Sequence, residues 1–266
     1  MNKIGIFGDS FGENCRFNVL KDSASVKFLE YSSWIDLIGT TRSHAIGGTD
    51  VQWSFSEFEK HHSKYDQVIF VLTSPFRVTV KDNNTNKLLK LVAGRDAITR
   101  QNDADTLLKN NNIETYHMWN ALMELEKLTP TLLINEDYQN RIYLFYNLVI
   151  ERIKQIRPDI KFIPACCCNC PIPSIPSNIS CLKDIMNYEN KIMKWKNAYD
   201  GHDNRISHLT EESHTILAKL IKQWLKTDEM FFDFDIKEFE NINPDQRKYN
   251  ASLWDSEEAW IKYYNE

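Results

Sequence analysis

The chain of 266 residues has no apolar run that approaches the roughly 18 residues of a membrane-spanning helix, so no membrane partner is expected. Its opening, MNKIGIFGDSFGEN, lacks the long apolar stretch and small-residue cleavage site of a secretory leader, and the expected location is a cytoplasm. A basic excess is missing as well. Lys+Arg number 32 against 37 Asp+Glu, a formal charge of −5, which argues against a broad phosphate-tracking surface and a nucleic-acid partner. There is no internal repeat and no low-complexity tract. The six cysteines do not have the spacing of a disulfide framework: Cys15 stands alone, Cys166, Cys167, Cys168 and Cys170 crowd together, and Cys181 follows eleven positions later. Adjacent cysteines seldom have the geometry to bridge, and a reducing compartment would keep them as thiols.

What is present is ample material for a core: 42% hydrophobic and 12% aromatic residues exclude a disordered chain. Three short apolar runs bounded by turn residues read as strands buried on both faces, as in a parallel sheet: Lys3 to Phe7, Gln67 to Leu72, and Ile160 to Ala165. Tyr138 to Ile156 is amphipathic at helical spacing through Ile142, Phe145, Leu148, Val149, Ile153 and Ile156. Thr210 to Trp224 repeats the pattern behind a capped, acidic start. Strands alternating with helices predict an α/β layered fold with a parallel sheet.

Two segments exceed that minimal pattern. About 78–130 reads as a hairpin and helical insertion over one sheet edge, with Trp119, Leu122 and Leu125 on a helix face. Residues 228–266 form an acidic, aromatic extension, expected to pack on the body or on a second subunit of a homo-oligomer. The main domain is therefore 1–227.

The most informative motif is Gly8-Asp9-Ser10-Phe11-Gly12, directly after the first strand. A serine on a tight turn at a strand's carboxyl end projects its hydroxyl into the crevice where open α/β sheets bind ligands. Backbone N–H groups at a helix start can stabilise an oxyanion or a phosphate there. At the far end, His208 stands just before the capped helix, where it can take the Ser10 proton, with a carboxylate to orient its ring. The motif has no Walker Gly-Lys-Ser ending and no Gly-x-Gly-x-x-Gly fingerprint. An ordinary α/β-hydrolase is rejected, because that fold places several strands before its nucleophile.

Gly8-Asp9-Ser10-Phe11, the Ala45-Ile46-Gly47-Gly48-Thr49 segment, the strand ending at Thr73-Ser74, and His208-Leu209-Thr210 together resemble the ordered blocks of the SGNH, or GDSL-type, hydrolases. The resemblance covers about 1–225. It implies a flavodoxin-like three-layer sandwich with a central parallel sheet, Ser10 as nucleophile and His208 as base. It also implies an oxyanion hole built from the N–H of Ser10, that of Gly47 or (preferred) Gly48, and a third-block side chain. Asp9, Thr73, Ser74 and Arg77 complete the expected oxyanion and substrate-binding set. The third block of the family, Gly-x-Asn-Asp, is here Thr73-Ser74-Pro75-Phe76-Arg77, so no asparagine occupies the hole position and Thr73, Ser74 and Arg77 are the candidate substitute donors. Arg77 is alternatively a bidentate holder of a substrate carboxylate or phosphate, or part of an ion pair. The last block, Asp-x-x-His, has Arg205 at its acidic position, so the nearest candidate orienter of His208 is Asp203, with Asp200 behind it, and a Ser–His dyad without a third member is the alternative. Third and last blocks of this kind are similar to those of hydrolase-like proteins of tailed phages, which would put the chain in a host cytoplasm.

The resulting expectation is a serine esterase or deacetylase that hydrolyses a small ester through an acyl-enzyme, with an O-acetyl group on a carbohydrate as the family's association. No metal or organic cofactor is required. The alternatives are a catalytically drifted binding or assembly protein of the same fold, and an acyltransferase using the same serine. Cys167 and Cys170 form one Cys-x-x-Cys with no second pair, so core packing or pocket lining is expected in place of zinc. His61 and His62 are expected to be solvated, His214 to bond locally, and Trp53, Phe55 and Phe58 to serve the core.

Overall fold

The computed structural model describes residues 2–9, 11–12, 32–47, 49–81, 88–91, 135–167, 170–192 and 209–242, with the backbone alone at 80–81, 88–91 and 190. In chain order the elements are β1 (Ile4–Phe7), α1 (Trp34–Leu37), β2 (Arg42–Ser43), α2 (Val51–His61), β3 (Gln67–Leu72), β4 (Val78–Lys81) and β5 (Leu88–Leu91). There follow α3 (Glu136–Ile156), β6 (Lys161–Pro164), α4 (Leu182–Ile192) and α5 (Glu211–Trp224). Short 3₁₀ turns follow α2 at His62–Lys64 and occupy Ile236–Phe239.

Four strands form a parallel sheet in the order β2-β1-β3-β6, with Ile6 opposite Ile69 and Phe70 opposite Phe162. A side chain alternates between sheet faces at each step, and the strands use both. Ile4, Ile6, Ile69, Val71 and Ile163 enter one core with α1, α4 and α5. Phe7, Val68, Phe70, Leu72 and Phe162 enter the other with α2 and α3. Helices thus cover both faces, which is why the strands read as continuous apolar runs. This mixed α/β arrangement is compatible with a three-layer sandwich. Among the described residues no helix is long and apolar enough to cross a membrane.

The helices start where the sequence supplies caps. Asn135 accepts from the Tyr138 N–H, Asp50 from Trp53, and Thr210 from Ser213. Asp50 also accepts from the Thr79 N–H (2.6 Å), while its own N–H donates to the Thr79 hydroxyl, so the start of α2 is pinned to β4. Burial raises the pKa of Asp50 in spite of these bonds. β4 and β5 pair antiparallel as a separate ribbon.

Some expectations need correction. The buried stripe of α3 is Tyr146, Val149, Ile150 and Ile153, whereas Phe145 and Leu148 are 46% and 58% exposed. A helix this apolar offers two candidate stripes by spacing, and packing against α2 and β3 selects the one carrying Tyr146. His61 and His62 are half-buried rather than solvated: His61 stacks on His44 at 4.5 Å and His62 on Phe58 at 4.7 Å. Burial between Phe7 and His61 lowers the pKa of His44 to about 4, helped by the neighbouring charges of His61 and Arg42. Cys166, Cys167 and Cys170 are free thiols, but Cys181 is disulfide-bonded. The expectation that all six cysteines stay thiols therefore fails at Cys181, which stands outside the adjacent cluster and so escapes its geometric bar to bridging. Beyond α5 the chain returns to the body, with Phe232, Phe239 and Ile242 buried in the first core; residues 243–266 and most of the 78–130 segment lie outside the described residues.

Candidate active site

Strand order in the sheet reverses between β1 and β3, and the crevice outside the carboxyl ends of those strands is where such folds bind ligands. β1 delivers Gly8 there. Its φ is +140°, and a Cβ on it would meet Val71 O at 2.6 Å, so glycine alone lets the turn pass this close to β3. The next residue, Asp9, is fully buried. One carboxylate oxygen accepts from the Phe11 N–H (3.1 Å), and the other from the Thr73 hydroxyl (2.8 Å) and Arg77 Nη1 (2.6 Å). The Asp9 carbonyl accepts from the Gly12 N–H (2.9 Å), which ties Asp9 to Gly12.

A buried carboxylate is tolerated only when paired and hydrogen-bonded, and here the third block supplies both partners. Thr73 itself is held from behind, because the buried Tyr146 hydroxyl donates to its carbonyl at 2.7 Å. Burial raises the Tyr146 pKa well above its ordinary value, reinforced by Cys167 and Asp9, so it stays a neutral donor. Of the remaining third-block side chains, Ser74 is half-buried and its Oγ accepts from the Phe76 N–H at 3.4 Å. The Arg77 side chain is 8% exposed and faces Asp9, so its charge is met within the protein.

The second block reaches the same turn. Ile46 N–H donates to Gly8 O at 3.2 Å, and the buried Thr49 hydroxyl bonds to Ile46 O (2.7 Å) and Gly8 O (3.3 Å). The two residues flanking the Gly47-Gly48 pair are thereby tied to the residue that begins the serine turn.

The last block is joined through Trp34, which no sequence motif singles out. The indole N–H of Trp34 donates to Phe11 O at 3.0 Å, while its backbone N–H donates to Nδ1 of the buried His214 at 3.1 Å. The chain immediately after position 208 is also fixed. Leu209 is fully buried in the core that holds Phe11, and Thr210 donates from its N–H and hydroxyl to the buried Glu189 of α4 (2.9 and 2.6 Å). Ser10, Gly48, Asp203 and His208 lie outside the described residues.

The cysteine loop after β6 is beside this crevice. Burial raises the Cys166 thiol to about 12, and the Asp9 charge adds to it against the opposing Arg77. Cys167 is fully buried and donates to Leu72 O at 3.7 Å. Among the described residues no cysteine joins a group of three side chains close enough to share a metal.

Sequence reasoning singled out Asp9, Thr73, Ser74 and Arg77, and the structure gathers Asp9, Thr73 and Arg77 into one buried cluster. It missed Trp34, Tyr146, Thr49 and Glu189. Thr49 had a signal, since it closes the second block; the other three act from helices distant in sequence and carried none. No family model, curated protein or solved structure matches the chain.

Proposed function

We propose that the chain is a serine esterase of the SGNH type, acting on a small ester such as an O-acetyl group, on a flavodoxin-like three-layer scaffold. The observation that supports this most strongly is the convergence of the flanks of all four blocks on one turn. Ile46 and Thr49 bond to Gly8, Thr73 and Arg77 to Asp9, and Trp34 links Phe11 to His214. The strand order brings the turn after β1 beside the segment after β3, and the polar character of their junction at the ligand-binding edge is what supports a chemical role.

In this reading His208 removes the Ser10 proton as Oγ attacks the ester carbonyl, with Asp203 orienting the imidazole. The N–H groups of Ser10 and Gly48 receive the developing oxyanion. Collapse of the tetrahedral intermediate expels the alcohol, which takes the proton from His208. Water, deprotonated by the same histidine, then releases the acid and regenerates Ser10. The Thr73 hydroxyl proton is committed to Asp9, and Arg77 is paired with it, so both hold the turn and do not bind substrate. Ser74 accepts from Phe76 and keeps its own proton to donate, which makes it the third oxyanion donor in place of the family's asparagine.

A second reading is favoured by one observation: two of the three side chains able to replace that asparagine are spent on Asp9, as in a fold kept for binding after catalysis has lapsed. A panel of short-chain p-nitrophenyl and acetylated-sugar esters separates the two. Turnover by the wild type, abolished in Ser10→Ala and reduced on the order of a hundredfold in Ser74→Ala, is the expected result. Turnover unchanged in Ser10→Ala, or absent throughout the panel, contradicts the esterase reading.

A further inference from the structure

Apart from the Asp9 cluster, three side chains converge beside the last turn of α2. Glu57 and His61 are one turn apart on that helix, and His44 reaches them from the segment after β2. One ligand atom from each lies within 4.8 Å of the other two. His61 Nε2 is 3.8 Å from Glu57 Oε2, and the His44 and His61 rings stack at 4.5 Å. We propose that His44, Glu57 and His61 form a binding site for one transition-metal cation of the Zn²⁺, Co²⁺ or Ni²⁺ class.

The donor set carries the assignment. Two imidazoles and one carboxylate are a three-ligand set that leaves a position for water in a tetrahedral metal, and imidazole selects these ions over Mg²⁺ or Ca²⁺, which take oxygen ligands. An outer partner is in place as well: Tyr65 Oη lies 2.7 Å from His44 Nε2. In the proposed site it accepts a hydrogen bond from Nε2 and so holds the ring in the tautomer whose Nδ1 keeps a lone pair, the role that outer-shell groups play at metal-bound histidines.

The site closes by small movements. Ligand atoms about a tetrahedral zinc are about 3.4 Å apart, so the 3.8 Å separation must shorten and the stacked rings must turn until their lone pairs converge. The His61 side chain is 28% exposed at the end of its helix and can rotate. Lys64 Nζ donates to His61 Nδ1 at 2.9 Å, so in this state the His61 proton is on Nε2. Metal binding removes that proton, and Nδ1 gains one as Lys64 withdraws to water, leaving the ring neutral. Lys60 holds Glu57 Oε1 at 2.7 Å but leaves Oε2 to the metal. These lysines and Arg42 repel a cation, which sets the affinity below that of a closed structural zinc site.

The site ties the last turn of α2 to the segment after β2. It shares no residue with the Asp9, Thr73 and Arg77 cluster, so its test is independent of the esterase reading. The test titrates the full chain, freed of metal with a chelator, with CoCl₂ followed by visible absorption and with ZnCl₂ followed by calorimetry and thermal unfolding. The expected result is one ion per chain, a raised unfolding midpoint, and ligand-field bands without thiolate charge transfer. His61→Gln, at an exposed helix end, should weaken binding by about tenfold or more, Tyr65→Phe by about tenfold, and Lys64→Ala should tighten it. No binding at millimolar Co²⁺, thiolate charge-transfer bands, or an affinity unchanged in His61→Gln would overturn the assignment.

Discussion

Asp9 is a full negative charge removed from water, and its tolerance depends on Arg77. Replacing Arg77 by Met leaves the carboxylate buried against the Thr73 hydroxyl and the Phe11 N–H alone. The expected cost is about 3–5 kcal/mol, read as a lower urea midpoint at neutral pH. Arg77→Lys should recover part of it, because a point charge restores the pairing without the guanidinium geometry. A loss below about 1 kcal/mol, the scale of exposed pairs, would show that the pair is not buried in solution. The Cys166 thiol makes a second prediction at this scale. With its pKa pushed up from 9.0 to about 12, chiefly by burial, it stays protonated in the folded protein while the unfolded thiol ionises above about pH 9. Its contribution to stability is therefore complete below pH 9 and is lost as pH rises towards 12. A thiol held protonated is a poor nucleophile, so alkylation of Cys166 in the native protein at pH 8, followed by mass spectrometry, should be much slower than in urea. Labelling at the same rate in both states would show the thiol to be accessible.

At the scale of elements, legibility in the sequence followed the number of buried faces. β1, β3 and β6 could be read because both faces of each are covered and few polar residues interrupt them. β2 is two residues long, with Arg42 exposed and Ser43 half-buried, and α1 is a single turn, so neither leaves a periodic trace. α5 was legible from Thr210 to Trp224 because its cap and its apolar stripe agree. α3 was legible as a helix but not in its orientation, since its sequence supports two apolar stripes and only packing decides between them. The β1 turn adds a constraint that no apolar pattern encodes. Gly8→Ala places a methyl group 2.6 Å from Val71 O at a φ of +140°, and should destabilise the protein by on the order of 3 kcal/mol. The check is thermal and urea unfolding against Gly39→Ala, where φ is also positive but a Cβ meets nothing. Equal losses in the two variants would mean that backbone conformation, and not the close approach to β3, is what requires glycine at position 8.

Across the whole molecule, the Asp9 cluster was legible in its residue types but not in its wiring. The Asp9, Thr73 and Arg77 positions could be picked out as third- and first-block residues, yet their mutual pairing depends on β1 and β3 being neighbours in the sheet. Trp34 was invisible because its two hydrogen bonds span 23 and 180 positions of sequence. Those bonds are what connect the turn that follows Ser10 to the helix that follows His208, and so they carry the central claim that the junction exists to activate Ser10. The measurement that tests this claim most directly is intact-mass analysis after exposure of the wild type, Ser10→Ala and His208→Ala to a fluorophosphonate. The account predicts one adduct on the wild type, mapped to Ser10 by peptide sequencing and missing from both variants. A well-folded wild type that forms no adduct after long exposure, or an adduct that persists in Ser10→Ala, would contradict it.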